Sequence, residues 1–165
     1  MAGAKFGGIF VADCYDRYGN QKWSATGYNR VTDTGIDHFL DAVLTAGDTQ
    51  EPTWYIGLKA TTGSSADDIA STHTWTEATE YVGSRKEWVE ARTAQSVSNV
   101  GNLATFVGNV NATVVEGAFL ISSDTNGGTA GILLSAADFT GGQKSVSSGD
   151  SLRVTYTFTG ADDGV

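Results

Sequence analysis

The sequence predicts an all-β fold: a β-sandwich, jelly-roll-like, with about eight strands and one short amphipathic helix at residues 34–46. Three observations predict it. Ser151–Thr159 (SLRVTYTFT) alternates polar and apolar side chains, the period of a strand with one dry and one wet face. Segments of similar length, 103–108, 114–122 and 130–135, are each bounded by Gly, Ser, Asn or Asp. The chain carries 21 glycines and a single proline, Pro52, which suits many tight turns.

Taken in order, 5–13 is a short Gly-containing apolar run and reads as a first strand. Residues 21–28 alternate loosely around Trp23 and Ala25, and Gly19–Asn20 before them is a hairpin turn. Ile36, Phe39, Leu40, Val43 and Leu44 then recur at helical spacing, a stripe expected to pack on an edge or end of the sandwich. Thr34 with Asp37 resembles a capping box, and Gly47 stands where a C-cap glycine belongs. Residues 53–59 (TWYIGLK) are apolar on both faces and belong in the centre of a sheet. The pattern stops over 60–81, where Trp75 is the one tryptophan in a Gly, Ser, Asp and Thr-rich stretch. A loop of that length is functional, mobile or tied down by its aromatic anchor. Strands over 87–94, 103–107, 114–121, 131–134 and 151–158 complete the set.

The length of 165 residues fits one β-sandwich domain with a core of its own, flanked by a short N-terminal arm (1–8) and a frayed acidic tail (160–165). The net charge of −9 leaves no basic patch to neutralise phosphates, so neither nucleic acid nor an anionic membrane is an expected partner. The lone Cys14 cannot form an internal disulfide and reads as a small buried hydrophobe. No stretch reaches the roughly 20 apolar residues of a membrane span. Residues 1–8 lack the apolar core of an export signal, so synthesis in a cytoplasm is expected.

Chemistry is sparse. His38 falls off the helix stripe and is expected to face solvent. His73 lies near Asp67, Asp68 and Glu77 but without a full set of zinc ligands. Asp67–Asp68 and Asp162–Asp163 lack calcium-loop spacing. Glu77, Glu80, Glu87 and Glu90 near Trp75 and Trp88 are the nearest approach to a glycosidase pair. The reading is of a non-enzyme with no catalytic, cofactor or metal residues. Trp75, Trp88, Phe6 and Ile9 are the candidates for contact with a partner chain.

Several blocks carry a resemblance: 28–35 (YNRVTDTG), 53–58 (TWYIGL), 70–77 (ASTHTWTE) with Tyr81, Arg85 and Trp88, 115–120 (VEGAFL) and 148–156 (SGDSLRVTY). Together, from about Trp23 to Phe158, they make the chain similar to small structural proteins of tailed bacteriophages. Among these it resembles capsid decoration or cement proteins. That resemblance implies a homotrimer on the exterior of the virion capsid, made in the host cytoplasm and clamping neighbouring copies of the major capsid protein. The alternative within the virion is a tail or fibre component that binds a host-surface glycan through exposed Trp75 and Trp88.

Overall fold

The computed structural model describes residues 4–45 and 47–162. The chain forms β1 (Ala4–Tyr15), β2 (Gln21–Tyr28), β3 (Arg30–Val31), helix α1 (Asp33–Leu40) and a π-helical turn (Asp41–Thr45). There follow β4 (Tyr55–Lys59), β5 (Glu77–Ala78), β6 (Lys86–Glu87), β7 (Ala91–Thr93), β8 (Ser96–Ser98) and β9 (Ala104–Val107). Then come β10 (Thr113–Val115), β11 (Gly117–Ile121), β12 (Leu133–Asp138), β13 (Lys144–Val146) and β14 (Ser151–Asp162). The all-β sandwich is present, with antiparallel pairing throughout the described residues. One sheet runs β2-β1-β14-β8-β7, with β9 also on β14. The other runs β3-β12-β11-β4-β5, with β6 also on β4. The small ladder β10-β13 stands apart.

Alternation in sequence becomes burial in space. Phe10, Ala12 and Cys14 of β1 and Leu152, Val154 and Tyr156 of β14 point inward at every second position. They meet Ile56 and Leu58 of β4 and Ala118 and Leu120 of β11 from the opposite sheet. Each fully buried large side chain contributes about 1.5–3 kcal/mol relative to exposure. β4 and β11 are buried on their outer faces as well, β11 with Phe119 and Ile121, and β4 with Gly57 and the buried Lys59. The central placement expected of 53–59 therefore holds, although the outer face of β4 is not apolar. That outer burial comes from a second small core of Trp75, Phe119, Ile121, Leu133, Ala136 and Ala70, built by folding the 60–81 segment over that sheet. Gly57 makes room for it: a Cβ there would lie 2.2 Å from the Phe119 ring.

The 60–81 segment is therefore tied down by its tryptophan. Asp68 shapes it, accepting from the backbone N–H of Ser65 (2.7 Å) and of Thr74 (3.0 Å). The single strand expected over 87–94 is two. β6 belongs to one sheet and β7 to the other, and Trp88 plugs the gap where the chain crosses, its backbone N–H donating to the Trp54 carbonyl (2.8 Å).

Arm and tail also differ from expectation. Residues 4–8 and 160–162 are not loose; they pair with one another as the ends of β1 and β14, Lys5 opposite Ala161 and Phe6 opposite Gly160. Neither half alternates cleanly in sequence, and each becomes a strand only because the other is beside it. Residues 1–3 and 163–165 lie outside the described residues.

Candidate functional site: an apolar groove beside the helix

The helix is capped two residues earlier than its sequence suggests. Thr32, not Thr34, caps it, accepting from the Gly35 N–H at 3.0 Å while its hydroxyl donates to the Leu133 carbonyl of β12. At Gly35 a Cβ would stand 2.7 Å from the Leu134 carbonyl oxygen, so only glycine lets the first turn lie this close to the strand. One turn on, His38 is also turned inward. Its Nδ1 lies 2.6 Å from Asp48 Oδ2, and its ring meets Trp54 edge-on at 6.0 Å. That hydrogen bond holds the Asp48 carboxyl below its ordinary pKa. The expectation that His38 faces solvent is corrected: a side chain off the apolar stripe is the one that docks the helix.

Most of the stripe itself faces out. With Gly35 and His38 against the sheet, Phe39 and Leu40 are exposed, Val43 is 61% exposed and Leu44 72% exposed. The expected packing of this stripe on the sandwich is only partial: Ile36 is half-buried and Phe39 touches Phe6, while the rest of the stripe is open to solvent. Gly47, expected at the C-cap, instead donates its N–H to Thr45 Oγ1 (3.1 Å), beyond a π-helical turn.

Between helix and sandwich lies a groove of about 600 Å³. It opens where the two sheets part. Val97 and Phe158 line it from one sheet, and Val31 and Leu134 from the other. Phe39 and Val43 form the helical wall. Aromatic rings cluster along the groove: Phe6 lies 5.1 Å from Phe39 and stacks with Phe158 at 6.0 Å. Trp54 and Trp88 border the interior, and Glu51 and Glu90 supply carboxylates. Among the described residues no lysine or arginine lines it.

The four predicted contact residues separate. Phe6 borders the groove and is partly exposed. Ile9 is half-buried in the β1 ladder, opposite Thr157 and Tyr28, and does not line the groove. Trp75, at 5% exposure, is a correction: it has no free face for a partner. His73 stacks on it at 3.9 Å, Phe119 lies at 4.5 Å, and the Lys59 ammonium sits 5.5 Å from its ring. Trp88 is corrected likewise. It is 6% exposed, and its indole N–H donates to the Tyr156 carbonyl at 3.0 Å, although an edge of it borders the groove. Both corrections have one cause. Polar neighbours in sequence suggest an exposed tryptophan, whereas its large apolar area draws the whole stretch down onto the sheet.

The other chemical candidates are structurally engaged. Glu77 accepts from Arg85 Nε and Nη2, both at 2.8 Å, and from the Gly127 N–H at 2.8 Å. Glu80, Glu87 and Glu90 are exposed. His73 donates from Nδ1 to the Trp75 carbonyl at 2.6 Å. Lys59 is buried against Asp138 and the Gly63 carbonyl; desolvation holds its pKa below the ordinary lysine value despite that carboxylate. Among the described residues no three His, Cys, Asp or Glu side chains cluster as a metal site would require. No described helix is long and apolar enough to cross a membrane.

Phe39, Val43, Leu134 and Phe158 are groove residues that sequence reasoning does not mark as a site. A signal is nonetheless present: between Val31 and Leu58 the acids Asp33, Asp37, Asp41, Asp48 and Glu51 occur without a single lysine or arginine. An apolar stripe inside so one-sided a charge run differs from an ordinary core-facing helix. Comparison with known protein families finds no family model that matches the chain, and comparison with curated proteins finds no match.

Proposed function

We propose that this chain is a bacteriophage capsid decoration protein, bound to the outside of the head and stabilising contacts between major capsid subunits, as a homotrimer. One observation carries the reading: a short helix presents Phe39, Leu40, Val43 and Leu44 to solvent beside an apolar groove. Contiguous exposed apolar surface of this kind marks a docking face. The resemblance of the sequence blocks to phage structural proteins supplies the identity of the partner. Multivalency then supplies the effect, since a modest contact repeated around a symmetric shell gives high avidity. The rest of the design suits a clamp. β1 and β14 are knitted into one long ladder, and two buried layers stiffen the sheet that carries the helix.

The tail or fibre reading rests on exposed Trp75 and Trp88 as sugar platforms. Both rings are buried, so no observation favours it.

The test is binding to purified heads that lack this chain, followed by imaging of the decorated particle. Wild-type chain is expected to saturate heads at a fixed ratio to shell subunits. The Val43→Asp/Leu44→Asp chain is expected to fold normally, because both residues are exposed, and to leave heads bare. Finding the wild-type chain only on tails overturns the proposal.

A further inference from the structure

The groove is not only apolar; its charge is one-sided, and that selects an occupant. We infer that it receives a cationic amphipathic segment of the partner protein, in which apolar side chains enter the groove and lysine or arginine residues flank them. This deepens the docking reading and rests on it.

Three features converge. The stretch that builds the helical wall, from Val31 to Leu58, bears five carboxylates and no basic side chain other than His38. Asp33, Asp37 and Asp41 recur every fourth residue along the helix to its C-cap, so they form a row on one side of the apolar stripe. Within the groove itself Glu51 and Glu90 are the charged groups among the described residues, and His38 is already bonded to Asp48. Arg92, across the ladder from Val97, is a basic neighbour at one end. The second feature is the aromatic cluster in the groove lining. Phe6, Phe39 and Phe158 pack on one another, and a ring face left uncovered by that packing attracts a cation through the ring quadrupole, in the same direction as the carboxylates. Third, a second copy of this chain is a poor occupant. Its net charge is −9, and a face-to-face pairing would bring the acidic helix row and the groove carboxylates of two copies together. A basic segment instead meets opposite charge at the rim and apolar surface within, gaining both steered encounter and burial.

The probes are two synthetic amphipathic peptides, one of Leu and Lys and one with every Lys replaced by Glu. Titrations of the full chain are followed by amide and methyl NMR shifts. The Leu–Lys peptide is expected to move the signals of Ile36, Val43 and Leu134. The Leu–Glu peptide is expected to bind more weakly by about tenfold or more, a gap that narrows at high salt. Reversing the rim with Glu51→Lys/Glu90→Lys is expected to invert that preference. Equal binding of both peptides, or shifts confined to other surfaces, overturns the inference. The head assay separates the two proposals. If the Glu51→Lys/Glu90→Lys chain decorates heads as wild type does, the charge inference fails and the docking reading stands. If the Val43→Asp/Leu44→Asp chain loses the peptide yet still decorates heads, the docking reading fails while the groove keeps its cationic preference.

Discussion

Arg85 and Glu77 form an ion pair whose side chains are 2% and 6% exposed, and removing either partner exposes how buried charge is held in this protein. The guanidinium makes two 2.8 Å bonds to the carboxylate, donates to the Ser123 carbonyl at 3.0 Å and the Gly128 carbonyl at 3.1 Å, and lies 5.2 Å from the centre of the Phe119 ring. Glu77→Gln keeps an acceptor for the Gly127 N–H but leaves a desolvated cation without its counter-charge. Breaking such a pair costs about 3–5 kcal/mol, against about 0–1 kcal/mol for an exposed one. At about 2–4 °C per kcal/mol for a chain of this size, the melting temperature should fall by roughly 6–20 °C. Arg85→Met alone should cost a similar amount, because Glu77 then stays buried with one backbone donor. The double variant should cost less than the sum by about 0.5–3 kcal/mol, since it buries no charge and the introduced glutamine amide can donate to the vacated carbonyls. Urea unfolding followed by tryptophan fluorescence measures all three. Additive costs, or single variants within about 1 kcal/mol of wild type, would refute the claim that this pair is dry and mutually dependent.

Other consequences follow from the same packing. Gly57→Ala puts a methyl into the Phe119 ring, 2.2 Å from its nearest atom, and should cost about 1–3 kcal/mol in urea unfolding, with Phe119→Leu restoring part of the loss. Tyr156→Phe removes the phenol oxygen that accepts from Asn29 Nδ2 (2.7 Å) and from the Ser135 hydroxyl (3.0 Å). It should cost about 1–3 kcal/mol by leaving buried donors unpaired, whereas Tyr18→Phe on the surface should cost nothing measurable. Burial pushes the Cys14 thiol from its ordinary 9.0 up to about 11, so below pH 9 the thiol is protonated folded and unfolded alike. Between those values only the unfolded state ionises, and stability should fall as pH rises. Burial raises the Tyr81 and Tyr156 phenols too, which adds to the alkaline loss. A thiol reagent at mildly alkaline pH should label Cys14 only after urea is added, and Cys14→Ala should flatten the alkaline slope; rapid labelling of the folded chain would contradict its burial.

The clearest patterns in the chain carry over to the fold. Alternation in 151–159 gives β14, and the two-sided apolar run in 53–59 gives β4 inside its sheet, between β11 and β5. Both signals are local, because the side-chain period of a strand is written within the strand itself. The helix is the instructive case. Its existence is legible from Ile36, Phe39, Leu40, Val43 and Leu44, but its orientation is not. Amphipathic spacing says which residues share a face and is silent on whether that face meets the core or the water. Here the choice falls to Gly35, small enough to approach Leu134, and to His38, whose nitrogen finds Asp48. Trp75 and Trp88 mislead for a related reason: their neighbours in sequence are polar, and their neighbours in space are Phe119 and Tyr156.

Sequence alone thus determined the antiparallel β class, the strong central strands and the acidity of the helical stretch, all of which follow from residue type and spacing along the chain. Only the tertiary structure decided that residues 4–8 and 160–162 extend one ladder, that Glu77 neutralises Arg85, and that the helix turns much of its apolar side outward to wall a groove. Those outcomes depend on contacts between segments far apart in sequence, where a close glycine or a distant carboxylate tips the balance among orientations that hydropathy leaves equal.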